Sequence, residues 1–356
     1  MDVRNYKDIM SSNPRIDKDY LHSILGLSRN QTINHVEKLE IKESNTALVI
    51  RINVKINTSE NIESRRLFIK TIKQDRSNNG YLQNSLKEVK FYKFIKDNSI
   101  NSLPIPACYD AFISEETGEF VIVLEDLTDQ YVGHNISCLH DEKIWFKCAD
   151  TLARFHSVFW NSKMIDAIGD IKEIDSKSEK EKLNNFLNHF DKLFDDKIKT
   201  TFNGAMDINI FIMKEESIRI KDKRNITICN GDSHIFNFML PINENHNPLM
   251  IDFQFWGTGI GPGDLAHLTR VNFSNKLKED IQISLVRHYH KKLMEYGITN
   301  YSWDNCFNDY RACAATMVLI PFYQYSYHNV KYDKWKDNLE ELIFNYDYLK
   351  SDEIRK

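Results

Sequence analysis

The segment Asn230-Gly231-Asp232-Ser233-His234-Ile235-Phe236-Asn237 sets a carboxylate five residues before a carboxamide, directly after the apolar run Ile226 to Cys229. An acid there can orient or deprotonate a hydroxyl, and an amide oxygen at that distance can ligate magnesium, so one rigid turn would aim both at the same phosphate. An Asp and an Asn in a loop could instead merely cap a helix. Fifteen residues beyond Asn237, the run LMIDFQ delivers Asp252 at the end of an apolar stretch. Magnesium prefers oxygen ligands, and Asp252 with the Asn237 amide and phosphate oxygens is an expected set. Upstream, Lys70 closes the run Leu67-Phe68-Ile69-Lys70, and Glu88 follows eighteen residues later. A strand lysine steadied by a helix glutamate suits contact with α and β phosphates. Lys73 is a rival for that role, placed beyond the strand.

These residues need elements to hold them. A short helix is expected around Asp17 to Leu25, followed by strands at Ala47 to Ile56 and Arg66 to Ile72, where β-branched residues alternate. Leu86 to Lys96 has helical spacing and carries Glu88, and Phe120 to Leu127 is a short apolar run suited to a buried strand. Beyond residue 128 the pattern turns helical. Trp145, Cys148, Leu152, Phe155 and Phe159 make the stripe of a docked helix between Asp141 and Trp160. Further helices are expected over about 178–196, 275–296, 303–320 and 334–349, with extended runs at Ile226 to Cys229 and Leu249 to Phe255. Gly257, Gly259, Gly261 and Gly263 read as a loop after the metal strand, with Asp264 as N-cap of the helix DLAHLTRV.

Composition limits the function classes. The 356 residues are 42% hydrophobic and 28% charged, enough apolar surface for a globule of one large domain or two lobes. A net charge of -4 leaves no bulk basic excess for a nucleic-acid backbone or an anionic membrane. The longest apolar stretch, Ala312 to Tyr323, contains Thr316 and Pro321 and falls short of the ~20 residues of a spanning helix. Six cysteines without a CxxC pair, and an opening MDVRNYKDIM without an apolar core, lead us to expect a reducing, cytoplasmic setting.

With these residues in hand, the chain resembles the aminoglycoside phosphotransferase and choline kinase superfamily, in particular its ecdysteroid-kinase-like branch. The likeness runs from about Asn45 to Asp264 through eight ordered segments: ESNTALVIRINV, LFIK, KEVKFYKFI, SLPIPACYDAF, VLEDL, TLARFHSVFW, NGDSHIFNFM and IDFQFWGTGIGPGDLAHL. It implies an α+β, bilobal protein-kinase-like fold, with a small β-rich nucleotide-binding lobe over residues 1–128 and a large helical lobe over 129–356. It also implies ATP with Mg2+ and transfer of the γ-phosphate to a hydroxylated small molecule. Carried over residue by residue, it makes Asp232 the catalytic base, Asn237 and Asp252 the metal ligands, and Lys70 with Glu88 the phosphate clamp. Glu125 to Leu127 become the hinge meeting adenine, and Ser44 and Asn45 part of the loop over the phosphates. Asn230 departs from the histidine usual in the family, though its side chain can still bond to neighbouring backbone. His234 is expected to brace the loop, and Cys229 to be a buried small hydrophobe.

The acceptor is left open between an aminoglycoside- or macrolide-like, a choline-like and a sterol-like alcohol. Trp256, Phe322, Tyr323, Tyr325, Tyr327, Tyr332 and Trp335, with Glu340 and Glu341, could cradle an amine. They could equally fill the core and leave a solvated acidic face. Asn230 and the scarcity of glycine in the first hundred residues, only Gly26 and Gly80, motivate an alternative: a weakly active pseudokinase serving as a nucleotide-binding or scaffold module. A protein kinase is disfavoured by the lack of a long activation segment between Asp252 and Asp264.

Overall fold

The computed structural model describes residues 16–43, 47–72, 79–113, 119–133, 141–168, 175–270, 275–328 and 330–349. The chain separates into two compact units. One comprises residues up to Val132 with Pro241–Asn243 and Ile251–Phe255, and the other the rest.

In the first unit, helix α1 (Lys18–Ile24) is capped by Asp17, whose side chain accepts from the Tyr20 N–H. A five-stranded antiparallel sheet follows, ordered β1-β2-β3-β5-β4. Its strands are β1 (Thr32–Glu43), β2 (Ala47–Asn57), β3 (Ile62–Ile72), β4 (Cys108–Ile113) and β5 (Phe120–Glu125). Strand alternation puts Ile50, Ile52, Val54, Ile56, Leu67, Ile69, Val121 and Val123 on one face, packed with Leu21 and Leu25 from the α1 side. Lys70, one residue on from Ile69, therefore lies on the other face, in register with Val49 and Ile122. Helix α2 (Asn79–Asp97) packs on β4 and β5 and buries Val89, Phe91, Tyr92 and Ile95. A three-residue strand, β6 (Tyr131–Gly133), closes this part of the chain.

Helix α1, strands β2 and β3 and the Glu88 helix fall where the sequence places them. Strand β1 was not expected. It is an edge strand, mostly exposed, and its alternation breaks at two register shifts, between Ile33 and His35 and between Lys38 and Glu40.

The second unit is mainly helical: α3 (Glu142–Phe159), α4 (Ser176–His189), α5 (Asp196–Asp222), α6 (Pro262–Thr269), α7 (Asn275–Glu295), α8 (Trp303–Thr316), α9 (Ile320–His328) and α10 (Lys336–Tyr348). Short strands interrupt them: β7 (Thr227–Cys229), β8 (Phe238–Pro241), β9 (Leu249–Met250) and β10 (Gly257–Gly259). The five expected stripe residues of α3 are fully buried. The 27-residue α5 was missed, because Thr200, Thr201, Asn203, Gly204, Ile208, Asn209 and Ile210 are weak helix formers. Tertiary burial of Phe202, Ala205, Met206, Ile208 and Ile212 overrides that preference, with Asp195 as N-cap and Lys223 ending the helix in a left-handed conformation. Among the described residues no helix is long and apolar enough to cross a membrane.

Two expectations about the glycine run change. Gly257–Gly259 is a strand, pairing antiparallel with Thr227–Cys229, so the segment closes a small ladder beside the Asp232 loop. Asp264 does not cap α6: the N-cap is Gly261, and Asp264 sits in the first turn with its side chain used elsewhere. Gly261 is required by close approach. A Cβ there would stand 2.6 Å from the Tyr289 hydroxyl and 3.2 Å from Nδ1 of His156. Gly261→Ala is therefore expected to lower stability by about 1–3 kcal/mol, the usual cost of overpacking. Urea unfolding measures it, and Gly261→Ala combined with Tyr289→Phe should recover part of the loss.

Candidate active site

In the first unit, Nζ of Lys70 lies 2.5 Å from Oε2 of Glu88, an ion pair whose side chains are 13% and 6% exposed. Burial pushes the Glu88 carboxyl up; Lys70 opposes this, and the charge of Asp252 adds to it. Asp252 thus stands close enough to sense the pair. Its backbone is left-handed, with φ of +59°, a conformation that costs a non-glycine residue roughly 1–3 kcal/mol and concentrates at functional sites. The neighbouring Phe253 is fully buried and stacks on Phe91 of α2, with centroids 3.8 Å apart and planes within 6°. The side chain of Gln254 also favours the ionised Glu88 carboxyl. Lys70, Glu88 and Asp252 are therefore brought together by one strand, one helix and one aromatic stack.

The segment Glu125 to Leu127 leaves β5 under tight control. The Glu125 N–H donates to the Ala107 carbonyl at 2.9 Å and the Asp126 N–H to that of Arg66 at 3.2 Å. Arg51 holds Oδ2 of Asp126 through Nε and Nη2, both at 3.0 Å, and Thr128 donates to Oδ1 from its N–H and hydroxyl. Among the described residues the Leu127 N–H has no backbone acceptor, while its carbonyl accepts from the N–H groups of Gln130 and Tyr131. Ser44, Asn45 and Lys73 lie outside the described residues.

In the second unit, the loop after β7 is built around a carboxylate. Asp264, 1% exposed, accepts from the N–H of Asn230 (2.7 Å, Oδ2) and of Gly231 (2.9 Å, Oδ1). Its own carbonyl accepts from the Ser233 hydroxyl at 2.7 Å. Oδ2 also takes Nε2–H of His156 at 3.1 Å, and Nδ1 of that ring meets the Tyr289 hydroxyl at 2.8 Å. Burial holds the Tyr289 phenol well above its usual range, so it stays protonated and donates. Burial alone would push the Asp264 carboxyl up, but His156 and the two backbone N–H groups outweigh it and the net shift is downward.

The loop's own residues follow. Oδ1 of Asn230 accepts from the Asp232 N–H at 3.1 Å, the backbone bond expected of an asparagine there. Nδ2 of Asn237 donates to the Asp232 carbonyl at 2.8 Å, which turns the amide oxygen to the other side as the atom a hard cation would take. Nδ1 of His234 is buried without a hydrogen-bond partner among the described residues, so the expected bracing does not come from its ring. Its backbone does the bracing instead: its N–H donates to Asp232 and its carbonyl accepts from Asn237, both at 2.8 Å. Cys229 is buried, and burial holds its thiol well above the usual range, as expected of a small hydrophobe.

Four participants escaped the sequence reading. His156, Tyr289 and Asp264 hold the loop, and Arg270 places Nη2 3.0 Å from Oδ1 of Asp232. Only His156 left a trace in the sequence, a polar residue on the apolar stripe of α3, four residues after Leu152. His156, Cys229 and Asp264 also gather one ligand atom each within 4.8 Å. Both ring nitrogens and both carboxylate oxygens are already engaged, so this buried cluster is structural. The aromatic cradle dissolves in part: Phe322 and Trp335 are buried against Phe186, with Tyr325 also on its ring, as core filling. Tyr323 accepts from Asn209, and Tyr327 meets Glu179 and Lys182.

The fold is shared with small-molecule kinases of low sequence identity. A choline kinase from Cryptosporidium parvum superposes with a TM-score of 0.55 at 12% identity, covering 99% of this chain and 97% of that one. The GDP complex of an aminoglycoside 2'-phosphotransferase-IIIa variant gives 0.53 at 14%, covering 98% and 97%. A putative aminoglycoside phosphotransferase from Ralstonia eutropha gives 0.52 at 12%, covering 94% and 98%. The architecture is thus α+β and protein-kinase-like. No curated protein matches the chain in sequence. Residues 42–299 match the ecdysteroid kinase-like family, and the chain belongs to that family.

The Asp264 geometry predicts a pH signature. Its folded pKa is depressed below the ordinary value near 3.9, so its contribution is fully present above that pH and is lost as pH falls through the lower folded value. Asp264→Asn should be less stable at pH 7 by roughly 1.5–3 kcal/mol, the worth of a hydrogen bond to a charged group, or more. It should also lack that component of the acid limb. Urea unfolding between pH 2 and 7 tests this, and superimposable acid limbs would remove Asp264 from the role.

Proposed function

We propose that the protein is an ATP- and Mg2+-dependent O-phosphotransferase that moves the γ-phosphate to a hydroxyl of a small molecule. The observation carrying this reading is the loop of Asp232 and Asn237. Its backbone is gripped by the buried Asp264, and its amide is oriented by the Asp232 carbonyl. A pre-oriented acid five residues from a pre-oriented amide oxygen is what a positioning mechanism of phosphoryl transfer requires. Asp232 is the base that orients or deprotonates the hydroxyl. Lys70, steadied by Glu88, meets the α and β phosphates, supported by their 2.5 Å pair. Asn237 and Asp252 supply oxygen ligands to magnesium, which neutralises charge developing on the phosphates. Glu125 and Leu127 offer backbone to adenine, and Ser44 and Asn45 cover the phosphates. Residues 1–128 serve as the nucleotide-binding part, and 129–356 carry the catalytic loop and the acceptor cleft. The setting is cytoplasmic.

Candidate acceptors are alcohols of the aminoglycoside or macrolide, choline and sterol types. The core role of Phe322 and Trp335 weakens the amine cradle as an argument among them. Asn230 gives little weight to the pseudokinase alternative, because its side chain bonds to the Asp232 N–H.

MgATP should raise the melting temperature, since a ligand of the native state stabilises it by mass action. No shift at millimolar nucleotide with folded protein would count against the whole reading. Asp232→Asn should leave ATP affinity nearly unchanged while transfer to a panel of hydroxylated amines, sterols and antibiotics falls roughly 10²–10⁴-fold. Binding without transfer to any panel member would favour the nucleotide-binding scaffold.

Asp252→Ala should abolish magnesium-dependent ATP binding with the fold intact. A wild-type magnesium titration in that variant would exclude Asp252 from the metal site.

A further inference from the structure

Helix α6 touches the Asp232 loop twice. Near its start, Asp264 takes the backbone N–H groups of Asn230 and Gly231. At its C-cap, Arg270 reaches the catalytic carboxylate itself, Nη2 to Oδ1 at 3.0 Å. Between them, Nδ1 of His267 lies 2.9 Å from Nη1 of Arg270. The spacing 264, 267, 270 keeps all three on neighbouring turns of one side of the helix.

The chemistry of the three groups fixes who does what. A guanidinium has donors and no acceptor, so Nδ1 of His267 must accept and its ring proton sits on Nε2. Nδ1 of His267 is also 3.8 Å from Oδ1 of Asp232, too long for a hydrogen bond and, with a lone pair facing a carboxylate, of the wrong polarity for one. Nε2 of His234, 3.7 Å from Oδ2, is likewise beyond hydrogen-bond range. Burial, with the Arg270 charge behind it, pushes His267 down to about 3, so its ring is neutral near pH 7. Arg270 is then the close positive charge on Asp232. Its fork is locked by two partners at once, which a lysine ammonium could not reproduce.

We propose that Arg270, braced by His267, is a positioning residue that sets the direction of the Asp232 carboxylate. Oδ1 is the oxygen it anchors. This rests on the phosphotransferase reading for its consequence in turnover, whereas the anchoring itself can be tested without activity.

Unfolding in urea of the wild type, Asp232→Asn, Arg270→Gln and the double variant gives a cycle. Non-additive losses are expected; additive losses within error would overturn the anchoring, whether or not the protein is an enzyme. Turnover of MgATP against the acceptor panel supplies the second arm. Arg270→Ala should lower kcat roughly 10²-fold, the cost of a misplaced reacting group, with KM for ATP within about twofold. Arg270→Lys should recover only part, and millimolar guanidinium, but not sodium at equal ionic strength, should raise kcat of Arg270→Ala. His267→Phe should show a smaller defect of the same kind. Wild-type kcat in Arg270→Ala, or a loss confined to KM with no guanidinium rescue, would overturn the positioning role. A wild type that turns over nothing sinks the phosphotransferase reading, and the cycle then decides the anchoring alone.

Discussion

Two backbone N–H groups, those of Asn230 and Gly231, point into a carboxylate almost sealed from water, and much of the second unit is arranged to make that possible. A buried charge costs several kcal/mol unless its lone pairs are met. Asp264 meets the requirement with two loop N–H groups and the His156 ring. Each donor then imposes its own condition. His156 must sit on α3 with its other nitrogen on Tyr289 of α7, which forbids a side chain at Gly261. Its carbonyl accepts from Thr227, tying α3 to β7 at 2.8 Å. The loop must turn sharply after Asn230, and Gly231 provides the left-handed φ of +81°. The Asp232 loop thus inherits the rigidity of three helices.

What the sequence made legible and what it hid divide along contact distance. Lys70 and Glu88 could be read because each is marked by its own element, a strand end and a helix face, and the pair needs only those two to dock. The contact between Asp232 and Asn237 could be read because their spacing is short. Asp264 and Arg270 could not, since their partners lie about thirty-five residues away in sequence and only the folded chain pairs them. Local logic even misled: an Asp after a glycine run looks like an N-cap, yet capping would have spent the side chain that the loop needs. The missed α5 is the same lesson in another form, weak intrinsic helix formers recruited by burial. Among the aromatics, bulk at helical spacing does not distinguish a ligand wall from a core, and Phe322 and Trp335 proved to be core.

The first unit solves a related problem with the opposite balance. Asp264 has more donors than its charge requires to stay ionised, so its carboxyl is held down. Glu88 has one ammonium partner and a second carboxylate, Asp252, close by, so burial wins and its carboxyl is pushed up. The left-handed backbone at Asp252 is a further local cost, and the stack of Phe253 on Phe91 is what pins the segment. Strain held by packing beside a crowded set of charges is poor design for stability alone.

That imbalance has a direction. Burial and the charge of Asp252 both disfavour the ionised Glu88 carboxyl, and Lys70 opposes them. A hard divalent cation on Asp252 would reverse the sign of its effect on Glu88, leaving the carboxylate of Glu88 to Lys70. An anionic phosphate chain would in turn draw on the ammonium that Glu88 now holds alone. Nucleotide and metal would therefore arrive as complementary charges at a cluster in which Asp252 now works against the ionised Glu88. A purely structural Lys70–Glu88 pair gains nothing from having Asp252 nearby, and this electrostatic asymmetry supports the phosphotransferase reading independently of the Asp232 loop.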